Sequence, residues 1–216
     1  MATIVEELKS EEIKAQETKS LVRRFSLAEF AAVADALPDD RLELINGEII
    51  RPPPPDKEHI KRTHRVGELF APHFKEIAAL GCQISGSSAY YAVPKELGQR
   101  WAAKGIKGPD DVCPDASICY RDYLDTERRP PALLVIEVLS ISKREHIDRD
   151  LVDKADIYAA LEIPVYWVVD RRDASVWVYT QPSEGKYTLR EQCKGDRALP
   201  APGLEFLSIT AAQIFE

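Results

Sequence analysis

The chain has 216 residues, of which 44% are hydrophobic and 30% charged, a composition typical of one globular domain. Its 29 Lys and Arg stand against 36 Asp and Glu, which gives a net charge of -7. A global positive field that would draw the chain to nucleic acid or to an anionic membrane is therefore excluded, and any polyanion must bind at a local basic patch.

The N-terminal segment and the cysteines indicate the cellular location to expect. Residues 1–22 alternate in charge and predict an N-terminal arm, whereas residues 23–216 are expected to form the domain. The arm has no apolar signal core, and no apolar run is long enough to span a bilayer. The four cysteines form no CxxC pair, which favours reduced thiols in a cytoplasmic protein. Because oligomers are often two-fold, the arm also suggests a homodimer.

The first elements carry clear local signals. Ser26 and Glu29 have the spacing of a capping box, which predicts a short helix ending before Pro38. The dipeptide Asn46-Gly47 lies between two β-prone runs, and this pattern predicts a tight hairpin.

The rest of the chain predicts one long helix followed mainly by strands. Apolar residues recur at helical spacing over 57–80, with a kink expected at Pro72 and an end at Gly81. Strands are predicted over 83–93, 111–120, 133–140, 165–170, 175–180 and 186–193, and a helix over 148–161. The class is therefore α/β with one central sheet, and the apolar run 133–140 belongs near its centre.

That apolar run contains a carboxylate, Glu137. An ionised and unpaired carboxylate in a buried strand costs several kcal/mol, so a cation, a hydrogen-bond donor or a metal is expected beside it. Asp115 follows Pro114 in another predicted strand, and two converging carboxylates suit Mg²⁺ or Mn²⁺. Asp150, Lys154 and Tyr158 are spaced i, i+4, i+8 and therefore share one face of the following helix.

These residues, read together, resemble the PD-(D/E)XK nuclease superfamily and, within it, the Uma-two family of endonucleases. The matching segments run in order through residues 24–216: "LAEF", "LELINGEI", "PDASI", "LVIEVLS", "DLVDKADIY", "IPVYWVVD" and "PGLEF". In the superfamily a lysine usually stands two residues after the acidic residue, a position that Leu139 occupies here. The Uma-two pattern instead takes its lysine from the next helix, in a D-x-x-x-K-x-x-x-Y arrangement that Lys154 matches.

The resemblance implies a restriction-endonuclease-like fold, with a central mixed sheet flanked by helices, and metal-dependent hydrolysis of phosphodiester bonds in nucleic acid, taken to be DNA. It implies that Asp115 and Glu137 hold Mg²⁺ or Mn²⁺ and that Lys154 orients the attacking water or helps to deprotonate it. Glu43 matches a further acidic position of the family and is expected to approach the ion directly or through water.

Simpler structural interpretations compete with several of these roles. Lys154 could simply form an ion pair with Asp150 on an exposed helix face. Tyr158 could pack its ring against the core while its hydroxyl reaches water. His59, His64 and His73 fit helical surface better than ligation, although His59 or His64 falls near a histidine common in the family pattern. A cationic segment with one aromatic fits either nucleic-acid contact or a solvated loop, and its residues are Lys95, Arg100, Trp101, Lys104 and Lys107.

Two other functions compete with nuclease activity. One is a nucleic-acid-binding or regulatory protein that keeps the nuclease scaffold without turnover, since a fold does not certify an activity. The other is a metal-dependent hydrolase that acts on a different phosphate ester.

Overall fold

A computed structural model describes residues 23–87, 89–92, 110–122 and 130–216. The predicted arm, 1–22, and the predicted nucleic-acid-binding segment, 95–107, lie outside these described residues. No helix within the described ranges has the length and apolar character needed to cross a membrane.

The described elements alternate between short helices and strands. The helices are α1 Leu27–Ala36, α2 Lys57–Phe70, α3 Phe74–Ala79, α4 Arg144–Asp148, α5 Lys154–Ala160 and α6 Ala211–Phe215, with 3₁₀ turns at Ala71–His73 and Glu205–Leu207 and a π-helical turn at Arg149–Asp153. The strands are β1 Glu43–Ile45, β2 Glu48–Ile50, β3 Cys82–Gly86, β4 Tyr91–Ala92, β5 Asp111–Val112, β6 Ala116–Tyr120, β7 Ala132–Val138, β8 Val165–Asp170, β9 Ser175–Ser183 and β10 Lys186–Lys194.

The local signals at the start of the domain form the predicted structures. Ser26 and Glu29 make both hydrogen bonds of the capping box that begins α1. Asn46 and Gly47 both have positive φ, 54° and 77°, as the two central residues of a type I′ hairpin require. The 3₁₀ turn that contains Pro72 separates α2 from α3, which confirms the predicted kink.

The central sheet has six strands in the order β10-β9-β8-β7-β6-β3. β7 and β8 are parallel and every other neighbouring pair is antiparallel, so the sheet is mixed, as predicted. A parallel pair needs a crossover connection, and the helical segment from α4 to α5 provides it. The predicted central position of the apolar strand is confirmed, because β7 lies between β8 and β6.

The predicted central sheet is accompanied by a smaller one that was not predicted. A second sheet of four strands, in the order β2-β1-β5-β4, joins the hairpin to residues that were assigned to longer strands of the central sheet. The predicted strand 111–120 divides into β5 and β6 around Cys113-Pro114. Proline has no N–H to donate to a ladder, and the chain changes sheets at this point.

The two faces of β7 pack against different layers. Ile136 and Val138 belong to the apolar cluster that contains Val66 of α2 and Ile214 of α6. Val135 and Leu139 belong to the opposite cluster, which contains Ala155, Ile157 and Tyr158 of α5 and residues of the small sheet. Since side chains alternate along a strand, Glu137 lies on the α5 face together with Val135 and Leu139.

Candidate active site

Neighbouring strands bring the two predicted carboxylates together. Asp115 immediately precedes β6, and Glu137 is the penultimate residue of β7. Ala116 pairs with Ile136 in the antiparallel ladder, so the next step of the register places Asp115 beside Glu137. The Asp115 Oδ2 atom accepts a hydrogen bond from the Val138 backbone N–H at 2.8 Å. Both side chains are buried, with exposures of 4% and 3%.

Lys154 reaches these carboxylates from the crossover helix. Its Nζ donates to Glu137 Oε1 at 2.7 Å and to Glu43 Oε1 at 2.9 Å. The side chain is 3% exposed, so the interpretation as an exposed surface ion pair was wrong. Burial alone would lower the pKa of Lys154, but Glu137, Glu43 and Asp150 raise that pKa above its usual range. Lys154 therefore carries its charge at neutral pH.

Only one of the two carboxylate oxygens of Glu137 has hydrogen-bond donors among the described residues. Oε1 accepts hydrogen bonds from Lys154 and from the Tyr158 hydroxyl, the latter at 2.8 Å. No described residue donates to Oε2. Burial raises the pKa of Glu137, Asp115 and other acids act in the same direction, and Lys154 opposes them. A cation bound at Oε2 would stabilise the ionised form of Glu137 and lower its pKa.

The structure corrects the interpretation of Tyr158. Its side chain is fully buried, and its hydroxyl contacts Glu137 and does not reach water. Burial raises the pKa of Tyr158 well above its ordinary value, with Glu137 adding to the effect, so the phenol stays protonated and donates. Tyr158 is therefore part of the carboxylate network.

Two side chains that the sequence did not assign to the site contact Asp115: an imidazole and a guanidinium. His59 Nε2 lies 3.1 Å from Asp115 Oδ2, and Arg41 Nη1 lies 3.4 Å from Asp115 Oδ1. Burial alone would raise the pKa of Asp115, but His59, Arg41 and the Val138 amide lower it to about 2. The assignment of His59 to helical surface was wrong, because its side chain is only 14% exposed and contacts Asp115. The only advance signal was a histidine common in this region of the family pattern.

Glu43, the first residue of β1 in the small sheet, is the second carboxylate partner of Lys154. Its Oε1 accepts a hydrogen bond from the Cys113 backbone N–H at 3.1 Å in addition to the one from Lys154. Its Oε2 is buried and has no hydrogen-bond partner among the described residues. Such an atom is costly unless water or a cation satisfies it, so this oxygen points to an additional ligand near the site.

A cavity of about 240 Å³ opens beside these groups. Its acidic lining residues are Asp56, Asp115, Glu137 and Asp150, its basic ones are Arg41, His59, Arg149, Lys154 and Arg171, and Pro52–Pro55 form one wall. Asp150 is 3% exposed, and burial raises its pKa while Lys154 opposes that shift. The cavity thus pairs carboxylates with cations in a confined, partly apolar space.

The donor set fits a hard divalent cation, although the described residues contain no group of three or more His, Cys, Asp or Glu arranged to hold a metal ion. A carboxylate offers several lone pairs, so the hydrogen bonds to Asp115 leave room for a further ligand bond. Glu137 adds a free oxygen in the same cavity. Two carboxylates with water can bind Mg²⁺, which keeps several waters in most protein sites.

The fold and this site together define a restriction-endonuclease-like protein. A similar solved structure is the "putative nuclease belonging to DUF820 from Anabaena variabilis ATCC 29413", with a TM-score of 0.57 and 17% sequence identity. The likeness covers 82% of this chain and 90% of that one.

The chain belongs to the Uma2 family. Residues 27–212 match the model of this family, which is described as "Putative restriction endonuclease". The resemblance inferred from the motifs is therefore confirmed. No curated protein matches the chain.

Proposed function

We propose that the protein is a metal-dependent endonuclease that hydrolyses phosphodiester bonds in nucleic acid, with DNA as the expected substrate. The observation that carries the proposal is the convergence of Asp115, Glu137 and Lys154 at one cavity, with Lys154 Nζ 2.7 Å from Glu137. Membership of the Uma2 family and the nuclease fold of the structural neighbour support it. Residues 23–216 would form the nuclease domain.

Asp115 and Glu137 would hold Mg²⁺ or Mn²⁺, with Glu43 approaching the ion through water. The bound ion would polarise the phosphoryl oxygen and lower the pKa of a coordinated water. Asp115 supports this role because its depressed pKa keeps it ionised at neutral pH. Glu137 supports it through the oxygen that no described residue satisfies.

Lys154 would act as a fixed positive charge. Its two carboxylate partners hold the proton on Nζ, so removal of a proton from water by this amine is disfavoured. An ammonium at this place orients the attacking water and offsets the charge that develops at phosphorus. Of the two roles considered from the sequence, the geometry favours orientation over deprotonation.

Cleavage assays test the proposal directly. Supercoiled plasmid, linear duplex, single-stranded DNA and RNA are incubated with the protein and Mg²⁺, Mn²⁺ or chelator. We expect cleavage with either metal, none with chelator, and loss in Asp115→Asn and Glu137→Gln. Glu76→Gln is the matched control, because it changes a carboxylate to a carboxamide at an exposed position of α3. This variant should cleave like the wild type.

Other outcomes separate the competing functions. Cleavage that survives both active-site substitutions would refute the site assignment. Binding of nucleic acid with no cleavage under any metal would favour the inactive scaffold, and hydrolysis of small phosphate esters alone would favour the third function. The homodimer stays a prediction, and a monomer mass in light scattering would contradict it.

A further inference from the structure

Arg149 presents a guanidinium whose outer nitrogens have no partner among the described residues. Its Nε lies 3.5 Å from Asp150 Oδ1, at the outer limit of a hydrogen bond. Nη1 and Nη2 make no hydrogen bond or ion pair with any described residue. The side chain is nevertheless only 11% exposed. Such a guanidinium can bind an anion, because its planar pair of N–H donors matches two oxygens of a phosphate.

The other arginines at the cavity are already engaged. Arg171 makes two hydrogen bonds to the carboxylate of Asp56 and a third to a backbone carbonyl. Arg41 donates to the Cys113 carbonyl at 2.6 Å and contacts Asp115. Both therefore stabilise the walls of the cavity, and Arg149 is the arginine there whose fork is available.

Arg149 also lies between two concave surfaces. It lines the cavity that contains Asp115 and Glu137, and it lines a second depression of about 610 Å³ between the β1–β2 hairpin and α4. We call this second depression the hairpin groove; its lining includes Arg24, Asn46, Arg51, Lys143 and Asp153. The π-helical turn Arg149–Asp153 begins at the junction of the two surfaces. Such turns are frequent at functional sites.

We propose that Arg149 binds a backbone phosphate adjacent to the scissile one and directs the nucleic-acid strand out of the cavity into the hairpin groove. This inference rests on the proposed function. The carboxylates of Asp115, Glu137 and Asp150 disfavour a phosphate near them unless a cation offsets their charge, so a further cation where the strand leaves the cavity would favour binding. Arg149 provides that cation on the side where the groove continues.

Equilibrium binding of labelled oligonucleotides tests this role without catalysis. Fluorescence anisotropy is measured for short single-stranded DNA, single-stranded RNA and duplex DNA, in chelator and at several salt concentrations. The variants are Arg149→Gln, Arg149→Lys and the matched control Arg144→Gln. Arg144 lies on the same helical segment, is 91% exposed and pairs only with Asp148 at 3.5 Å among the described residues.

Arg149→Gln should weaken binding about 10-fold, because a charge-assisted phosphate contact is lost. The slope of log K against log salt should fall by about 0.7 for single strands, the value for one phosphate contact. Arg149→Lys should restore the slope but only part of the affinity, and Arg144→Gln should change neither. Thermal midpoints confirm that the variants fold.

The same affinity and salt slope for Arg149→Gln and Arg144→Gln would overturn the inference, as would a wild-type protein that binds none of the oligonucleotides. Cleavage is measured in parallel with Mg²⁺ and Mn²⁺. Arg149-dependent binding without any cleavage would count against the proposed function and support the phosphate contact. Cleavage together with binding that does not depend on Arg149 would support the proposed function and refute the phosphate contact.

Discussion

Lys154 Nζ lies 2.7 Å from Oε1 of Glu137, a residue 17 positions earlier in the chain. The position two residues after Glu137 is Leu139, which is fully buried in the apolar cluster on the same face of the sheet. The ammonium therefore comes from the crossover helix, which packs on the face that Glu137 occupies. Two carboxylates, those of Glu137 and Glu43, hold it.

Removal of the buried ammonium should destabilise the fold. Lys154→Met leaves Glu43 and Glu137 buried with no cation between them, and breaking a buried ion pair in this way costs about 3 kcal/mol. Urea denaturation measures the free energy of unfolding. Adding Glu137→Gln should recover part of the loss, and Lys75→Met, an exposed lysine change, should have little effect. A loss below about 1 kcal/mol would show that the carboxylates find other partners.

Tyr158 should matter for activity more than for stability. Tyr158→Phe removes one of the two donors to Glu137 Oε1, and loss of such a supporting hydrogen bond lowers activity about 10-fold or more. Tyr187→Phe is the matched control, because its hydroxyl donates to the Ile163 carbonyl at 2.8 Å, away from the carboxylates. Each change should lower stability by about 1 kcal/mol. Equal cleavage rates in the two variants would contradict a positioning role for Tyr158.

His59 should be required for cleavage, whereas His64, the next histidine of α2, should not. His59→Ala removes the contact with Asp115 Oδ2, and we expect cleavage to fall by about 10-fold or more. His64 is exposed, so His64→Ala tests the general effect of removing an imidazole from α2. Initial cleavage rates in Mg²⁺ measure the difference. The prediction fails if the two variants cut at the same rate.

Asp110 should make the stability depend on pH. The side chain is 1% exposed, its Oδ1 accepts from the Asn46 backbone N–H at 2.5 Å, and its Oδ2 has no partner among the described residues. Burial raises the pKa of Asp110 from 3.8 to about 7. Between these values the folded state keeps a proton that the unfolded state releases, so the free energy of unfolding falls as pH rises through this window.

Asp110→Asn should remove that dependence, because its amide carbonyl still accepts from Asn46. Between pH 5 and pH 8 the wild type should lose about 2 kcal/mol more stability than the variant. Asp39→Asn, at an exposed position, should follow the wild type. Urea denaturation at both pH values measures this, and parallel curves for the wild type and Asp110→Asn would disprove the assignment.

Features with strong local signals could be predicted from the sequence. The capping box at Ser26, the Asn46-Gly47 hairpin and the Pro72 kink depend on neighbours within a few residues, and all three form as expected. The second sheet could not be predicted, because β4 and β5 are two residues long and have no periodicity of their own. They exist only through pairing with β1 and with each other.

The residues of the candidate site also fall into two groups: those that the sequence nominated and those that it did not. The order of Asp115, Glu137 and Lys154, together with the family pattern, was sufficient to nominate these residues. His59, Arg41 and Arg149 carried no comparable signal, since a lone histidine or arginine on a helix or in a loop is most often solvated surface. The contacts of His59 and Arg41 with Asp115 join residues that are distant in the chain.

The sequence by itself determined the family, the central strand and the three principal candidates, because periodicity, spacing and turn chemistry are local properties. The tertiary structure decided that Lys154 is buried between Glu137 and Glu43, that Tyr158 donates to Glu137, and that the fork of Arg149 has no partner in the described part of the chain. The reason is physical. Burial and hydrogen bonding between distant residues depend on how sheets and helices pack, and packing sets the charge and the accessibility of each group.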